Sequence, residues 1–309
     1  MRPSRALLAM LSCALWAQSV AGQQSDWDHF MSEGDSAMAH EQYAQAEDSY
    51  RRALRYAEAH WRNDARLPGT LIKLAEACNA GGKKNEAEGL ANRSAAELSE
   101  ALKKHEPKDA SEEMMQADTS VALLTKAGDL FAVNEKFPDA EAMYQKAIAV
   151  RENYAAAKPP SKPSNEDFLR FMAQALGNAQ AKVADARDKL GSLYRREQKF
   201  QQAEGQFQQS EAIREKVFGA DQPPVAQSLG DLAMCHALQG QYEQAVPLYQ
   251  KVVAILENSK LRESPEMAIA LENYSLALRK AGREAEAQPF ADSAREIRSK
   301  SSSGTHTPQ

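Results

Sequence analysis

Six histidines, three cysteines and a recurring lysine are where catalysis or metal binding would have to begin in this chain. A metal-binding helix needs two histidines one turn apart, so that both rings leave the same face at ligand distance. His29, His40, His60, His105, His236 and His306 offer no such pair. His29 and His40 are eleven residues apart and fall near one face of a helix, and two exposed histidines are the simpler account of them. No serine sits in a strand–turn–helix elbow, and no glycine-rich loop is present to cradle a phosphate. Cys78 and Cys235 fall on the apolar faces of different helices, and they read as small core residues rather than a disulfide. Lys73, Lys126 and Lys189 recur at one position of a longer pattern and could form a basic strip for a ligand carboxylate. Glu76 and Asp129 follow the first two at helical spacing, so neutralised pairs on a solvated face are the simpler reading. The sequence therefore predicts no catalytic group, no metal and no cofactor.

Charge and composition narrow the partners. With 38 basic and 43 acidic residues among 309, the chain carries a net charge of −5 and has no footprint for nucleic acid. Aromatic residues make up only 7%, and the abundance of Ala, Gln, Glu and Leu favours an all-α fold packed through small side chains. Arg2 and Arg5 precede an apolar run from Ala6 to Ala17, and Ser19-Val20-Ala21 supplies small residues before a cut. Residues 1–21 are thus expected to be a cleaved signal peptide, making the protein secreted or periplasmic. The run is short for an uncleaved anchor, and Met10-Leu11-Ser12 before Cys13 makes a poor lipoprotein signal. No membrane span is expected in the mature chain.

The elements that position side chains show in a self-match. "LGSLYRREQKFQQAEGQFQ", "LAMCHALQGQYEQAVPLYQ" and "YSLALRKAGREAEAQPFAD" align with a period of 42 residues, giving units that start at Ala184, Ala226 and Ala268. Between the first two lies "FGADQPPVA", where Gly219 can end a helix in the left-handed conformation, Gln222 is held extended by the next proline, and Pro223 or Pro224 suits a new first turn. In "KLRESPEMA", Ser264 is the expected N-cap before Pro265. The same ruler finds Gly34, Tyr43, Ala46 and Tyr50 in a unit from Trp27. It finds Leu74, Ala75, Cys78 and Ala87 in one from Pro68, and Gly128, Phe137, Ala140 and Tyr144 in one from Val121. The second unit carries about eleven extra residues and the third about twenty-one.

The spacing Leu190-Gly191-x-x-Tyr194 followed by Ala203-x-x-x-Phe207 resembles a tetratricopeptide repeat, and the 42-residue joints resemble the kinesin-light-chain type. That resemblance implies an α-solenoid of about six helix–turn–helix repeats, wound as a right-handed superhelix, and a platform for protein partners. It covers residues 184–298 well and 27–157 less well, and residues 22–157 are assigned to the first three repeats. Its paired backbone-holding asparagines are matched only by Asn273, since Asp188-Lys189 and Gly230-Asp231 stand in the other two units.

Residues 158–183 are an insertion, a proline-rich loop and then a helix with Phe168, Phe171, Met172 and Leu176 on one side, which Gly177-Asn178 should end or bend. It either docks a partner or covers the groove, or it merely lengthens the next helix. Residues 299–309 are expected to be a disordered tail. In the repeat family the first helix of each unit lines the groove, which here implies Arg195 and Arg196, then Met234 and Leu238, then Asn273, Leu276 and Arg279. Met234, Leu238 and Leu276 would form an apolar floor, with the arginines orienting acidic groups on a protein or peptide ligand. A self-associating structural subunit, a homo-oligomer of an envelope assembly, is the alternative, and an enzyme the remote one.

Overall fold

A computed structural model describes residues 26–62, 64–104, 110–156 and 166–303. The expected signal peptide, most of the loop before the insertion helix and the last six residues lie outside these. Among the described residues there are twelve helices and no strand, so the fold is all-α. They form six hairpins. The first joins α1 (residues 26–39) to α2 (Tyr43–His60), the second α3 (Arg66–Ala80) to α4 (Lys84–Lys104), and the third α5 (Ala110–Val133) to α6 (Phe137–Ala156). The fourth joins α7 (Glu166–Arg196) to α8 (Phe200–Phe218), the fifth α9 (Pro223–Leu238) to α10 (Tyr242–Glu257), and the sixth α11 (Pro265–Lys280) to α12 (Glu284–Ser303). The chain divides into two compact units, 1–143 and 144–309, with the division inside α6.

One turn is used six times. Glu41, Gly82, Glu135, Gln198, Gly240 and Gly282 all have φ between 58° and 82°, and each is the middle residue of a three-residue connection. The residue after it donates its N–H to a carbonyl five positions back, as Lys199 does to Tyr194 at 2.8 Å and Arg283 to Leu278 at 2.8 Å. The middle residue itself donates three back, Gln198 to Arg195 at 3.1 Å and Gly282 to Arg279 at 3.0 Å. This is a Schellman closure, which satisfies the last carbonyls of one helix and aims the chain back along it. The intervals between these residues are 41, 53, 63, 42 and 42, so the extra eleven and twenty-one residues fall where the repeat pattern puts them.

Those extra residues mainly lengthen first helices. α9 and α11 each begin 17 residues before the turn centre, whereas α5 begins 25 before and α7 begins 32 before. α7 continues through Gly177-Asn178, so of the expected end or bend there the end does not occur. A Cβ built on Gly177 would meet Val217 of α8 at 3.5 Å, an ordinary contact, so helix packing carries the chain through a weak breaker. The one-sided packing expected of Phe168, Phe171, Met172 and Leu176 falls outside the described side chains. α12 likewise continues to Ser303, into the stretch from residue 299 expected to be a disordered tail.

Small residues sit where helices of a hairpin touch. A Cβ on Gly34 would come within 2.4 Å of the Tyr50 ring, and one on Gly191 within 2.7 Å of Phe207. Ala75, Ala233 and Ser275 occupy the same register and are buried. The joints hold as the sequence suggested, with one difference. Gln222 is extended at φ −101° and ψ 146°, and Met267 donates its N–H to the Ser264 side chain at 3.3 Å. Gly219 has φ 96° but ψ 151°, so it leaves the helix extended rather than in the left-handed helical region. Cys78 and Cys235 are fully buried free thiols, pushed up to about 11 by burial.

Candidate functional site

The C-terminal unit holds a cavity of about 720 Å³ between the first helices α7, α9 and α11, closed beneath by α8 and α10. Its volume lies within the range of sites that bind small ligands or a few side chains. Tyr249, Val252 and Leu256 of α10 form an apolar base, and Met234 and Ile269 rise from α9 and α11. The Tyr249 hydroxyl lies 3.9 Å from Met234 Sδ. Pro223 and Pro224 form part of the wall at the start of α9, where Phe218 from the end of α8 remains 40% exposed.

Polar groups enter this apolar space in two clusters. In the first, Arg214 of α8 is only 2% exposed. It donates from Nη1 to Ser228 Oγ at 2.5 Å and from Nη2 to Asp185 Oδ1 at 2.6 Å, and Nη1 forms an ion pair with Asp188 Oδ2 at 2.5 Å. Ser210 and Ser228 are 2.9 Å apart, and Ser210 donates to the Ala184 carbonyl at 3.1 Å. Burial pushes the Asp188 carboxyl up to about 6, against the opposing pull of Arg214. In the second cluster Arg195 donates to Asp231 Oδ1 at 2.9 Å, and its guanidinium lies 5.5 Å from the centre of the Phe207 ring. Burial raises Asp231 as well, with Arg195 opposing.

Of the residues expected from sequence, Arg195, Met234 and Asn273 line this cavity together. Arg196, Leu238, Leu276 and Arg279 lie outside its walls, toward the turn ends of their helices. Leu238 and Leu276 are 56% and 53% exposed, and Arg279 pairs with Glu284 at 3.2 Å. Asp188, at a position expected to face the groove, is instead buried under Arg214. Arg214, Asp231 and Tyr249 were not foreseen as parts of the site. One signal was available: Asp188 and Arg214 are 26 residues apart, and the pair Glu272 and Arg298, with a 2.7 Å bond, repeats that separation one 84-residue interval later.

Lys73 and Lys126 are neutralised, but not within their own helices. Lys73 reaches Asp35 at 2.7 Å and Lys126 reaches Glu76 at 2.8 Å, each acid belonging to the preceding repeat. Among the described residues the one gathering with metal-like spacing is Glu47, Cys78 and Glu86. Lys83 bonds Glu47 at 2.7 Å while Arg51 bonds both Glu47 and Glu86, so these carboxylates are already compensated and the thiol is held protonated. That arrangement suits an inter-helix ion network better than a cation. His29 and His40 are both exposed, His29 beside Glu33 at 3.2 Å and His40 against its own helix at the Ser36 carbonyl.

Residues 182–258 match the family described as tetratricopeptide repeat. No curated protein matches the sequence. Among solved structures, the chain is similar to BtubC (BKLC) from P. vanneervenii at 15% identity, covering 93% of this chain and 94% of that one with a TM-score of 0.61. It is similar to the kinesin light chain nearly identical TPR-like repeats of Podosopora anserina at 20% identity, with 77% and 97% covered and a TM-score of 0.54. The apo form of RapI follows at 12% identity, 90% and 99% covered, TM-score 0.53. At these identities the likeness concerns the fold.

Proposed function

We propose that this chain, whose residues 182–258 belong to the tetratricopeptide repeat family, is a non-catalytic adaptor that receives a peptide or protein segment in the cavity of its C-terminal unit. One observation carries the reading. Six residues before each turn centre, the first three repeats place Asp35, Glu76 and Asp129, and Asp35 and Glu76 bridge to lysines of the following repeat. The last two repeats place Met234 and Leu276 at that register instead. Helix surface that is occupied by ion pairs early in the chain is thus apolar and partly open late in it. Burying one such side chain under a ligand contributes about 1.5–3 kcal/mol, enough for a few anchors to govern affinity.

Export completes the proposal, supported by Arg2 and Arg5 ahead of the apolar run and by the small residues up to Ala21. N-terminal sequencing that returned Met1 from the native host would end it. Among the described residues no helix is long and apolar enough to cross a membrane.

The binding reading is tested with the mature chain used as bait on envelope and culture extracts. A monomer that captures a defined protein is expected, with capture lost in Met234→Glu/Ile269→Glu at unchanged helical content. A concentration-dependent oligomer that captures nothing would replace the adaptor with a self-associating subunit.

A further inference from the structure

We propose that the segment received by this cavity is cationic, a stretch of polypeptide that carries a large apolar side chain beside lysine or arginine. The inference rests on the groove reading above and adds the charge of the ligand.

The cavity's two arginines give nothing to a visitor. Arg214 is 2% exposed and is held by two aspartates, so its charge is enclosed and more than offset. Arg195 is already bonded to Asp231, and both side chains are about a quarter exposed. What remains open to the cavity is acidic. Asp185 keeps 59% of its side chain exposed while one oxygen bonds Arg214, and Glu266 stands exposed in the first turn of α11. Grouped by contact, Arg214 with Asp185 and Asp188 carries a net −1 while Asp188 is ionised, Arg195 with Asp231 carries zero, and Glu266 carries −1. The other cations of α7 and α11 lie outside the walls, with Arg187 bonded to Glu152 and Arg279 to Glu284.

The apolar and acidic features are adjacent. Ile269, 49% exposed, is three residues from Glu266, so the two share one face of α11. Phe218 at the end of α8 also borders the cavity. An entering leucine or phenylalanine can lie on Tyr249, Val252 and Leu256 while a neighbouring ammonium or guanidinium reaches Asp185 or Glu266. An acidic segment would bring its carboxylates against both, with no uncommitted cation among the lining residues to offset the repulsion. Asn273, also in the wall, offers an amide to the ligand backbone without altering this charge balance.

The test uses three labelled peptides of about twelve residues, alike in a central leucine–phenylalanine anchor but flanked by lysine, glutamine or glutamate, titrated into the full mature chain and followed by fluorescence anisotropy. The lysine peptide is expected to bind on the order of ten times tighter than the glutamate peptide at low salt, with the gap closing as salt screens it. Asp185→Asn/Glu266→Gln should bring the lysine peptide to within about threefold of the glutamine one. Glu266→Gln alone, at an exposed position, should give part of that loss and guards against Asp185→Asn loosening Arg214. Equal binding of the three, or preference for glutamate, overturns the charge assignment, and the groove reading survives if Met234→Glu/Ile269→Glu still abolishes that binding. Binding of none of them overturns both.

Discussion

Arg195 on α7 donates to Asp231 on α9 at 2.9 Å, spanning 36 residues, and this pairing takes from the groove a cation expected there from the sequence. Asp231 is pushed up by burial and opposed chiefly by Arg195, so the arginine's role is to make an acid tolerable beneath the groove. Arg195→Met should destabilise the chain by about 1–3 kcal/mol, because it leaves a half-buried carboxylate alone. Adding Asp231→Asn should recover most of that loss. A double-mutant cycle in urea that gave strictly additive effects would show that the pair is not coupled.

Two helix glycines should respond to the same substitution in opposite directions. Glycine inside a helix costs about 0.5–1 kcal/mol relative to alanine, so Gly205→Ala on α8, with nothing within 4 Å of its new methyl, should stabilise by about that much. At Gly191 the methyl would lie 2.7 Å from the Phe207 ring, which is fully buried and cannot withdraw. Overpacking of about 1–3 kcal/mol outweighs the gain there, and Gly191→Ala should lower the melting temperature. Stabilisation by both would mean that the α7–α8 contact is looser than the ring position implies.

The repeated turn supplies a third expectation. Gln198 has φ 59°, a left-handed conformation that costs an ordinary residue about 1–2 kcal/mol and glycine little. Gln198→Gly should therefore raise stability by about 0.5–1 kcal/mol. Gly240→Ala, at φ 75° with no atom near its new methyl, should lower it by about 1 kcal/mol through the backbone alone. Chemical denaturation of the two variants checks both signs.

These residues also mark what a single sequence discloses. Gly82, Gly240 and Gly282 stand at the turn centres in plain view, and the 42-residue period back from Gly240 locates Gln198, where no glycine advertises the turn. Local stereochemistry and spacing therefore suffice for the hairpins. They do not suffice for the continuity of α7, since Gly177-Asn178 weakens a helix locally and only the neighbouring Val217 shows what packs there. Charge identity misled most in the site. Arg195 reads as a free groove cation until the hairpin geometry brings Asp231 beside it, and Asp188 reads as exposed until Arg214 arrives from α8. Pair spacings of 26 and 36 residues become informative only once the repeat period has been turned into neighbouring helices.

Acidification should stabilise this protein before it denatures it. Asp188 is raised from 3.8 to about 6 because burial opposes its ionised form, so the folded chain holds this proton more tightly than the unfolded chain does. Folding therefore binds a proton between about pH 4 and 6, and stability falls as pH rises through that window. Arg214, Asp185, Asp231 and Arg195 are the charged groups around Asp188; Asp231, raised in the same sense, reinforces the effect. Moving from pH 7.5 to pH 5 should add on the order of 1 kcal/mol, which is about 2–4 °C in melting temperature for a domain of this size. Asp35, Glu47 and Glu272 act oppositely, being lowered by Lys73, Lys83 and Arg298, so the stability they lend is lost as pH falls below the usual carboxylate range. The melting temperature should accordingly peak near pH 5 and drop below about pH 4. Asp188→Asn keeps a carbonyl for Arg214 and removes the titration, so its profile between pH 5 and 7.5 should be flatter than that of the parent. An unchanged slope in Asp188→Asn would assign the acid stabilisation to other groups.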